Sequence, residues 1–145
     1  MKTLYTAEVR VTGGRSGRAR SSTGSLSVNL STPTEMGGSG GDGTNPEQLF
    51  AAGYGACFES ALMSAARRKK IDADQVIVTA RVGIGPTGGG AYGLNVELRM
   101  YVPGVERSVA EELVAEADRI CPYSNAVRGN VPVQLIVEEE EPASW

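Results

Sequence analysis

The chain has 145 residues, a mass of 15.2 kDa and 41% hydrophobic residues, which allows one domain with a substantial core and is too little to expect two. Its formal net charge of -3 and its isoelectric point near 5.0 argue against nucleic-acid or membrane partners, because both bind mainly through clustered positive charge. The sequence contains two cysteines and no histidine, which argues against a metal site and excludes catalytic machinery built on histidine. We therefore expect no metal and no cofactor.

The amino-terminal segment is not typical of a signal peptide. Residues 1–8 contain no apolar core, and nowhere does the chain reach the roughly 18 consecutive apolar residues of a membrane-spanning helix. We therefore expect a cytosolic protein. A permanent disulfide is disfavoured in a reducing cytosol, so a cysteine pair there is expected to be catalytic, redox-sensing or simply buried.

The first third of the chain predicts an antiparallel β-meander and then a loop. Apolar and polar residues alternate at 5–11 and again at 26–30, and a glycine-rich turn at 13–17 lies between the two runs. Residues 31–43 are rich in Gly, Ser, Thr and Pro, which is typical of a mobile loop.

A long helix is predicted from the pair Asn45-Pro46 to about Lys69. Asn45 fits the N-cap and Pro46 the first helical position, although a capping box starting at Thr44 fits one residue earlier. Both interpretations put Glu47 in the first turn. The helix is crowded with small residues that let another backbone approach closely, so we expect it to be central and largely buried.

The remaining elements follow in chain order. Strands are predicted at 76–84 and 94–102, joined by a turn at 85–90, and a last strand is predicted at 133–137. Between them, the pattern Ser108 to Glu111 is a capping box that opens a helix to about Ile120, and Pro122 can begin a further short helix. The order predicts one α+β domain over 1–145, with helices against antiparallel sheet and a short acidic tail from about 139.

The chemistry of the chain centres on its two cysteines. Glu47 and Cys57 are ten residues apart in the predicted helix, which separates them by about 15 Å along its axis, so they cannot touch directly. An arginine from the turn at 15–18 could bridge them. Held bidentately by Glu47, it would present its remaining N–H donors to the Cys57 sulfur and favour the thiolate.

Each of these residues also has an ordinary structural interpretation. A cysteine on a helix rich in small residues, such as Cys57, is commonly an inert core residue, and Cys121 could be a buried residue at a helix end. Glu47 could serve only as a first-turn or capping carboxylate. Arg15 would ordinarily be solvated in a turn, and Arg18 and Arg20 compete with it for any bridging role.

Several motifs resemble the organic hydroperoxide resistance branch of the Ohr/OsmC family. The two long ones are Thr44-Asn45-Pro46-Glu47-Gln48-Leu49-Phe50-Ala51-Ala52-Gly53-Tyr54, followed by Ala56-Cys57-Phe58, and Cys121-Pro122-Tyr123-Ser124-Asn125-Ala126-Val127-Arg128-Gly129-Asn130. Shorter matches are Gly13-Gly14-Arg15, Leu30-Ser31-Thr32-Pro33 and Val82-Gly83-Ile84-Gly85. The similarity covers nearly the whole chain, and two long motifs in the same order are far more specific than a lone short one.

The resemblance implies an OsmC-like fold, with antiparallel sheets packed on two central helices in an intertwined homodimer. It also implies a thiol peroxidase in which Cys57 is the peroxidatic cysteine and Cys121 the resolving cysteine. Carried over by position, Arg15 is the arginine that holds the thiolate, and Glu47 is its carboxylate partner. Cys57 would become a sulfenic acid and then form an intramolecular disulfide with Cys121.

The implied activity is a peroxiredoxin-like, lipoyl-dependent reduction of alkyl or fatty-acid hydroperoxides. The implied reductant is a lipoylated protein, and apolar residues near Cys57 (Leu49, Phe50 and Phe58) would favour bulky organic peroxides. Two alternatives stay open. One is a general OsmC-like peroxidase with a broader choice of substrate, and the other is a non-enzymatic dimer that binds hydrophobic small molecules and keeps both cysteines in its core.

Overall fold

The computed structural model describes the whole chain, residues 1–145, which divides into two units at residues 49 and 50. We refer to residues 1–49 as the N-terminal unit and to residues 50–145 as the C-terminal unit. The organisation of the whole chain as one domain stays a prediction. No helix in the structure is both long and apolar enough to cross a membrane.

The N-terminal unit contains a three-stranded antiparallel sheet in the order β1-β2-β3. Strand β1 is Val9–Thr12, β2 is Arg18–Ser21 and β3 is Ser27–Asn29. The predicted meander is therefore present, but β1 is shorter than the alternation suggested and β2, which carries three charged or polar residues, was not identified. A 3-10 turn at Gly14–Ser16 joins β1 to β2 and carries Arg15.

Backbone hydrogen bonds close the base of the glycine-rich segment 31–43. The amide of Ser31 donates to the carbonyl of Thr44 at 2.9 Å, and the amide of Thr44 donates to the carbonyl of Asn29 at 2.9 Å. A 3-10 turn at Thr34–Met36 lies within the segment. The end of β3 and the start of the following helix are thereby joined directly, which places Glu47 within the same unit as Arg15.

Helix α1, Pro46–Arg68, begins at the position that the sequence predicted. The backbone amide of Gln48 donates to the side-chain oxygen of Asn45 at 2.8 Å, which is the N-cap interaction. The alternative capping box from Thr44 to Glu47 does not form, because the Thr44 hydroxyl donates to the side chain of Gln48 instead. Glu47 is therefore free to bind another partner.

The sheet of the C-terminal unit is mixed, which corrects the expectation of antiparallel pairing throughout. Strands β4, Ile77–Gly88, and β5, Ala91–Tyr101, form an antiparallel hairpin, but β6, Val133–Glu138, runs parallel to β5. The reason is the helical crossover between β5 and β6, which returns the chain to the end from which β5 started. The hairpin is also longer than predicted, because residues 85–88, which were predicted as part of the turn, belong to β4.

Two helices form this crossover, α2 at Arg107–Ile120 and α3 at Pro122–Val127. The predicted capping box from Ser108 is wrong. The N-cap is Glu106, two residues earlier, and Glu111 accepts a hydrogen bond from the Arg107 side chain at 3.1 Å instead of capping. A local ion pair thus replaces the capping interaction.

The core of the C-terminal unit lies between its helices and its sheet, which confirms the α+β class. The largest fully buried side chains come from α1, β5, α2 and the junction before α3: Tyr54, Phe58, Leu62, Leu98, Met100, Leu113 and Cys121. One of the two cysteines is therefore part of this core. The chain leaves β6 after Glu138, and residues 139–145 form no helix or strand.

Candidate active site

The C-terminal unit brings the two cysteines together. The Sγ atoms of Cys57 and Cys121 are 3.5 Å apart although the residues are 64 positions apart in sequence, and both thiols are free. Cys57 is half-buried on α1, whereas Cys121 is fully buried. A disulfide requires about 2.05 Å between the sulfurs, so bond formation needs a further approach of about 1.5 Å.

Local backbone chemistry fixes the position of Cys121. Pro122 disfavours helical geometry at the residue before it, and Cys121 has φ −65° and ψ 121°, which ends α2 and starts α3. The amide of Cys121 donates to the Ala117 carbonyl at 2.8 Å, and the Cys121 carbonyl accepts from the Asn125 amide at 3.0 Å. Both helices therefore hold the backbone of this cysteine.

Aromatic and hydroxyl groups surround the thiol pair. The hydroxyls of Tyr54 and Ser124 form a buried hydrogen bond of 2.7 Å. The rings of Phe50, Tyr54 and Tyr123 form a cluster with centroids 5.8–6.3 Å apart. Gly53 lies beneath this cluster, since a Cβ at that position would come within 2.8 Å of the Tyr123 hydroxyl.

Burial raises the pKa of the Cys57 thiol above its ordinary value, because an apolar environment solvates a thiolate poorly. The neighbouring Cys121 acts in the same direction, and a hydrogen bond from the backbone of Tyr123 opposes it. No basic side chain is among the groups that shift this pKa. The groups that surround Cys57 within the C-terminal unit therefore favour the neutral thiol, whereas the sequence predicted a thiolate.

The N-terminal unit contains the ion pair that the sequence predicted between an arginine of the first turn and Glu47. Two nitrogens of Arg15 donate to the two carboxylate oxygens of Glu47 at 2.9 and 2.7 Å, a bidentate geometry. Arg18, a competitor for this position, instead donates to Asn29 and Ser27. The contact of Arg15 is thus observed, and its catalytic role stays a prediction.

The electrostatics of this pair are those of a stable charged contact. The hydrogen bonds from Arg15 hold the pKa of Glu47 below its ordinary value, although burial opposes them. The same contact raises the pKa of Arg15. The Glu47 side chain is 13% exposed and that of Arg15 is 35% exposed, so the arginine keeps a solvent-facing edge with unused N–H donors.

The apolar residues that the sequence placed near the thiol differ in their availability. Phe58 is fully buried in the core and cannot contact a substrate, which corrects that part of the expectation. Phe50 is half-buried and belongs to the aromatic cluster. Tyr54, Tyr123 and Ser124 were not predicted as site residues, although all three lie in the motifs that contain the cysteines.

No group of three or more cysteine, aspartate or glutamate side chains is arranged to hold a metal ion.

Comparisons with known proteins extend over nearly the whole chain. The family model described as OsmC-like protein matches residues 38–136. The chain is 53% identical over 135 residues to an organic hydroperoxide resistance protein of Xanthomonas axonopodis pv. citri (strain 306), covering 92% of this chain and 94% of that protein.

Two crystal structures show the same similarity in three dimensions. One is an organic hydroperoxide resistance protein from Elizabethkingia anophelis with thiocyanate bound, with a TM-score of 0.91, 47% identity and coverage of 97% of this chain and 100% of that one. The other is the organic hydroperoxide resistance protein OhrB of Bacillus subtilis, with a TM-score of 0.87, 39% identity and coverage of 94% and 100%.

Proposed function

The chain belongs to the OsmC-like protein family, in its organic hydroperoxide resistance branch, and on that premise we propose that it is a thiol-dependent peroxidase that reduces organic hydroperoxides to alcohols. The observation that carries the proposal is the distance of 3.5 Å between a half-buried and a fully buried free thiol. A sulfenic acid formed on the more accessible Cys57 would have a second thiol beside it. Relatives named for hydroperoxide resistance support a peroxide as the substrate.

The proposed first step is attack of the Cys57 thiolate on the terminal oxygen of the hydroperoxide. The O–O bond breaks, the sulfur becomes a sulfenic acid, and the departing alkoxide takes up a proton to give the alcohol. The Cys121 sulfur then attacks the sulfenic sulfur and releases water, which leaves a disulfide between Cys57 and Cys121. An external dithiol restores both thiols.

Arg15 has two roles in this proposal. A thiol of pKa near 8.5 is about 7% ionised at pH 7.4, so lowering the pKa by about 3 units gains roughly 13-fold in thiolate. A Brønsted slope near 0.45 removes roughly 20-fold in nucleophilicity over the same shift, so acidity alone gains nothing. We therefore propose that the guanidinium also stabilises the charge that develops on the alkoxide. Its bidentate attachment to Glu47 supports this assignment, because it orients the group and leaves donors free.

The proposed assembly is an intertwined homodimer. Apolar side chains of the N-terminal unit are well exposed, with Leu4 at 94%, Tyr5 at 79%, Val11 at 55% and Val9 at 44%. These apolar residues lie on β1 and on the segment that precedes it, and their exposure supports burial against a second copy. Analytical ultracentrifugation tests this, and a monomer at micromolar concentration would contradict it.

We further propose that the physiological reductant is a lipoylated protein and that the enzyme works in the cytosol. A half-buried peroxidatic cysteine supports an external dithiol of small cross-section, such as a lipoyl group on a mobile arm. Reduction of the oxidised protein by dihydrolipoamide, compared with reduction by thioredoxin at equal concentration, tests the choice of reductant. Equal or faster reduction by thioredoxin would contradict it.

The central experiment is non-reducing intact mass and thiol titration before and after one equivalent of cumene hydroperoxide. We expect the loss of both thiols and a mass lower by two hydrogens, with peptide mapping to a link between Cys57 and Cys121. Two unchanged thiols would contradict the peroxidase proposal. A parallel series with hydrogen peroxide separates an organic hydroperoxide reductase from a general OsmC-like peroxidase, which would react equally well with both.

One observation favours a second candidate, the non-enzymatic dimer that binds hydrophobic molecules. Burial raises the pKa of Cys57, and Cys121 is fully buried, as expected of two core cysteines. This candidate predicts slow labelling of both thiols by iodoacetamide and no disulfide after peroxide is added. Fast labelling of Cys57 alone would exclude it.

A further inference from the structure

Two contacts join helix α1 to the segment that carries Cys121. The first is the contact between the two sulfurs at 3.5 Å, and the second is the hydrogen bond of 2.7 Å between the hydroxyls of Tyr54 and Ser124. Tyr54 and Cys57 are three residues apart on α1, and residues at that spacing share one face of a helix. Cys121 and Ser124 are also three apart, and the order of the two contacts is reversed along the second segment. The hydrogen bond and the thiol pair therefore fix one antiparallel register.

Breaking the hydrogen bond between Tyr54 and Ser124 has a high free-energy cost. Tyr54 is 0% exposed and Ser124 is 2% exposed, so neither hydroxyl can turn to solvent when the other is withdrawn. An unsatisfied buried hydroxyl carries its full desolvation cost, which exceeds the net gain from an average hydrogen bond. The bond therefore disfavours any placement of the Ser124 segment other than the observed one.

Helix α3 needs such an anchor. It has six residues, which is too short to be stable by itself, so contacts outside the helix determine its position. At its C-terminal end, Arg128 donates to the carbonyl of Asp118 at 2.7 Å. At its N-terminal end, next to Cys121, the ring of Tyr123 packs against α1, and the bond between Ser124 and Tyr54 is the side-chain hydrogen bond to that helix.

We propose that Tyr54 is a positioning residue: through its buried hydrogen bond to Ser124, it holds the Cys121 sulfur in reach of Cys57 and sets the rate at which the two sulfurs join. The consequence for peroxide reduction rests on the proposed function. There, a sulfenic acid on Cys57 either condenses with Cys121 and releases water, or reacts with a second hydroperoxide to give a sulfinic acid and an alcohol. A slower closure diverts more of the protein to the sulfinic acid.

Closure can be measured without peroxide. Dithiodipyridine reacts with the Cys57 thiolate to give a mixed disulfide and one pyridinethione, which absorbs in the near ultraviolet. The Cys121 thiolate then attacks the Cys57 sulfur and expels the second pyridinethione, which leaves the internal disulfide. The first release depends on reagent concentration and the second does not, so the two rates separate in one stopped-flow record.

We expect Tyr54→Phe to slow the second release about threefold to tenfold, the range for the loss of one neutral hydrogen bond, and to leave the first release within about twofold of the wild type. Ser124→Ala should slow the second release by a similar factor, because it removes the same hydrogen bond and also leaves one buried hydroxyl without a partner. The double variant should be no slower than Ser124→Ala, since both substitutions remove the same bond.

Two control variants separate positioning from general stability. Tyr101→Phe removes a tyrosine hydroxyl on β5, and Val96→Ala removes buried apolar volume from the same strand; neither residue contacts the thiol pair through a hydrogen bond. Thermal unfolding of every variant is recorded in the reduced state. Both controls should keep the second release at the wild-type rate, although Val96→Ala lowers the melting temperature.

An unchanged second release in Tyr54→Phe and Ser124→Ala would overturn the inference, as would an equal slowing in Val96→Ala. The peroxide arm of the experiment measures the cumene hydroperoxide concentration at which half of the protein becomes sulfinic acid, and we expect it to fall by the same factor in Tyr54→Phe. Slower closure with dithiodipyridine in Tyr54→Phe, combined with a wild-type protein that does not react with hydroperoxide, would support the positioning role and contradict the peroxidase. Failure of the inference and failure of the proposed function therefore give different results.

Discussion

The ion pair of the N-terminal unit and the thiol pair of the C-terminal unit differ in charge and in access to water. Arg15 and Glu47 carry full charges, and the arginine is 35% exposed. Cys57 and Cys121 lie 3.5 Å apart with Cys121 fully buried, and the partial burial of Cys57 itself raises the pKa of that thiol. Packing that brings the two sulfurs together therefore also disfavours the thiolate that their chemistry needs. A reactive Cys57 therefore requires positive charge, and Arg15 is our proposed source.

The largest expected effect comes from exchanging the two cysteines separately. Cys57→Ser should reduce turnover of cumene hydroperoxide to the uncatalysed level, because the nucleophile is lost. Cys121→Ser should retain the first oxidation and accumulate sulfinic acid at Cys57, since no second thiol condenses with the sulfenic acid. Mass spectrometry after peroxide addition measures both. Retained turnover in Cys57→Ser would show that the thiol pair is structural only.

Removing the positive charge of Arg15 should have the next largest effect on peroxide reduction. Arg15→Ala should lower the rate of Cys57 oxidation about 10²-fold to 10³-fold, the usual effect of losing one donor that stabilises transition-state charge. Glu47→Gln should lower it less, because the amide still accepts a hydrogen bond from Arg15. Arg18→Ala is the matched control, since that arginine binds Asn29 and Ser27. Equal rates of Cys57 oxidation in Arg15→Ala and Arg18→Ala would mean that the ion pair of Arg15 and Glu47 does not act on the thiol pair.

The pH dependence of Cys57 alkylation by iodoacetamide tests whether Arg15 acts on the Cys57 thiol. Burial raises the pKa of Cys57, whereas a cation would lower it, so alkylation of Arg15→Ala should reach its plateau at a higher pH than alkylation of the wild type. Coincident profiles would mean that Arg15 does not act on the thiol.

The acid side of the profile tests the ion pair. Arg15 lowers the pKa of Glu47 in the folded protein. The stabilisation from the ion pair is therefore fully present above the unfolded pKa of about 4.3, and it is lost only as pH falls through the lower folded pKa. We therefore expect no loss of the Arg15 effect between about pH 5 and 7. The ratio of wild-type to Arg15→Ala rates at each pH measures this, and a ratio that decreases as pH is lowered from about 7 to about 5 would contradict the assignment.

The smallest expected effect is a difference in stability between alanine variants at two glycines of α1 within the C-terminal unit. A Cβ at position 55 would meet Ala80 at 3.6 Å, an ordinary contact, so Gly55→Ala should raise the free energy of unfolding by about 0.5–1 kcal/mol. A Cβ at position 53 would lie 2.8 Å from the Tyr123 hydroxyl. Gly53→Ala should therefore raise the free energy of unfolding by less than Gly55→Ala and displace the Tyr123 ring. Urea unfolding of the reduced protein compares them. An equal gain at both positions would mean that Tyr123 moves freely.

Local signals in the sequence predicted the elements that local chemistry determines. Asn45 caps α1 and Pro46 starts it, as predicted, because capping depends on a few neighbouring residues. The capping box from Ser108 failed although its pattern was equally good, since Glu111 pairs with Arg107 instead. Strand β2 was not identified because its polar residues show no apolar alternation.

Pairing across long distances was harder to predict. Strand β6 pairs parallel to β5 because the path of α2 and α3 sets its direction, and its alternation of apolar residues is the same in either direction. The hydrogen bond between Tyr54 and Ser124 spans 70 residues and left no pattern in either motif.

By itself, the sequence determined the candidates: two cysteines, no histidine, a helix that carries Glu47 and Cys57 ten residues apart, and an arginine in a preceding turn. These follow from residue identity and from spacing along a helix. Only the tertiary structure decided that Arg15 rather than Arg18 binds Glu47, that the two sulfurs lie 3.5 Å apart, and that burial raises the pKa of Cys57. The physical reason is that distance, burial and dielectric environment arise from packing between distant segments, which the periodicity of a single segment does not encode.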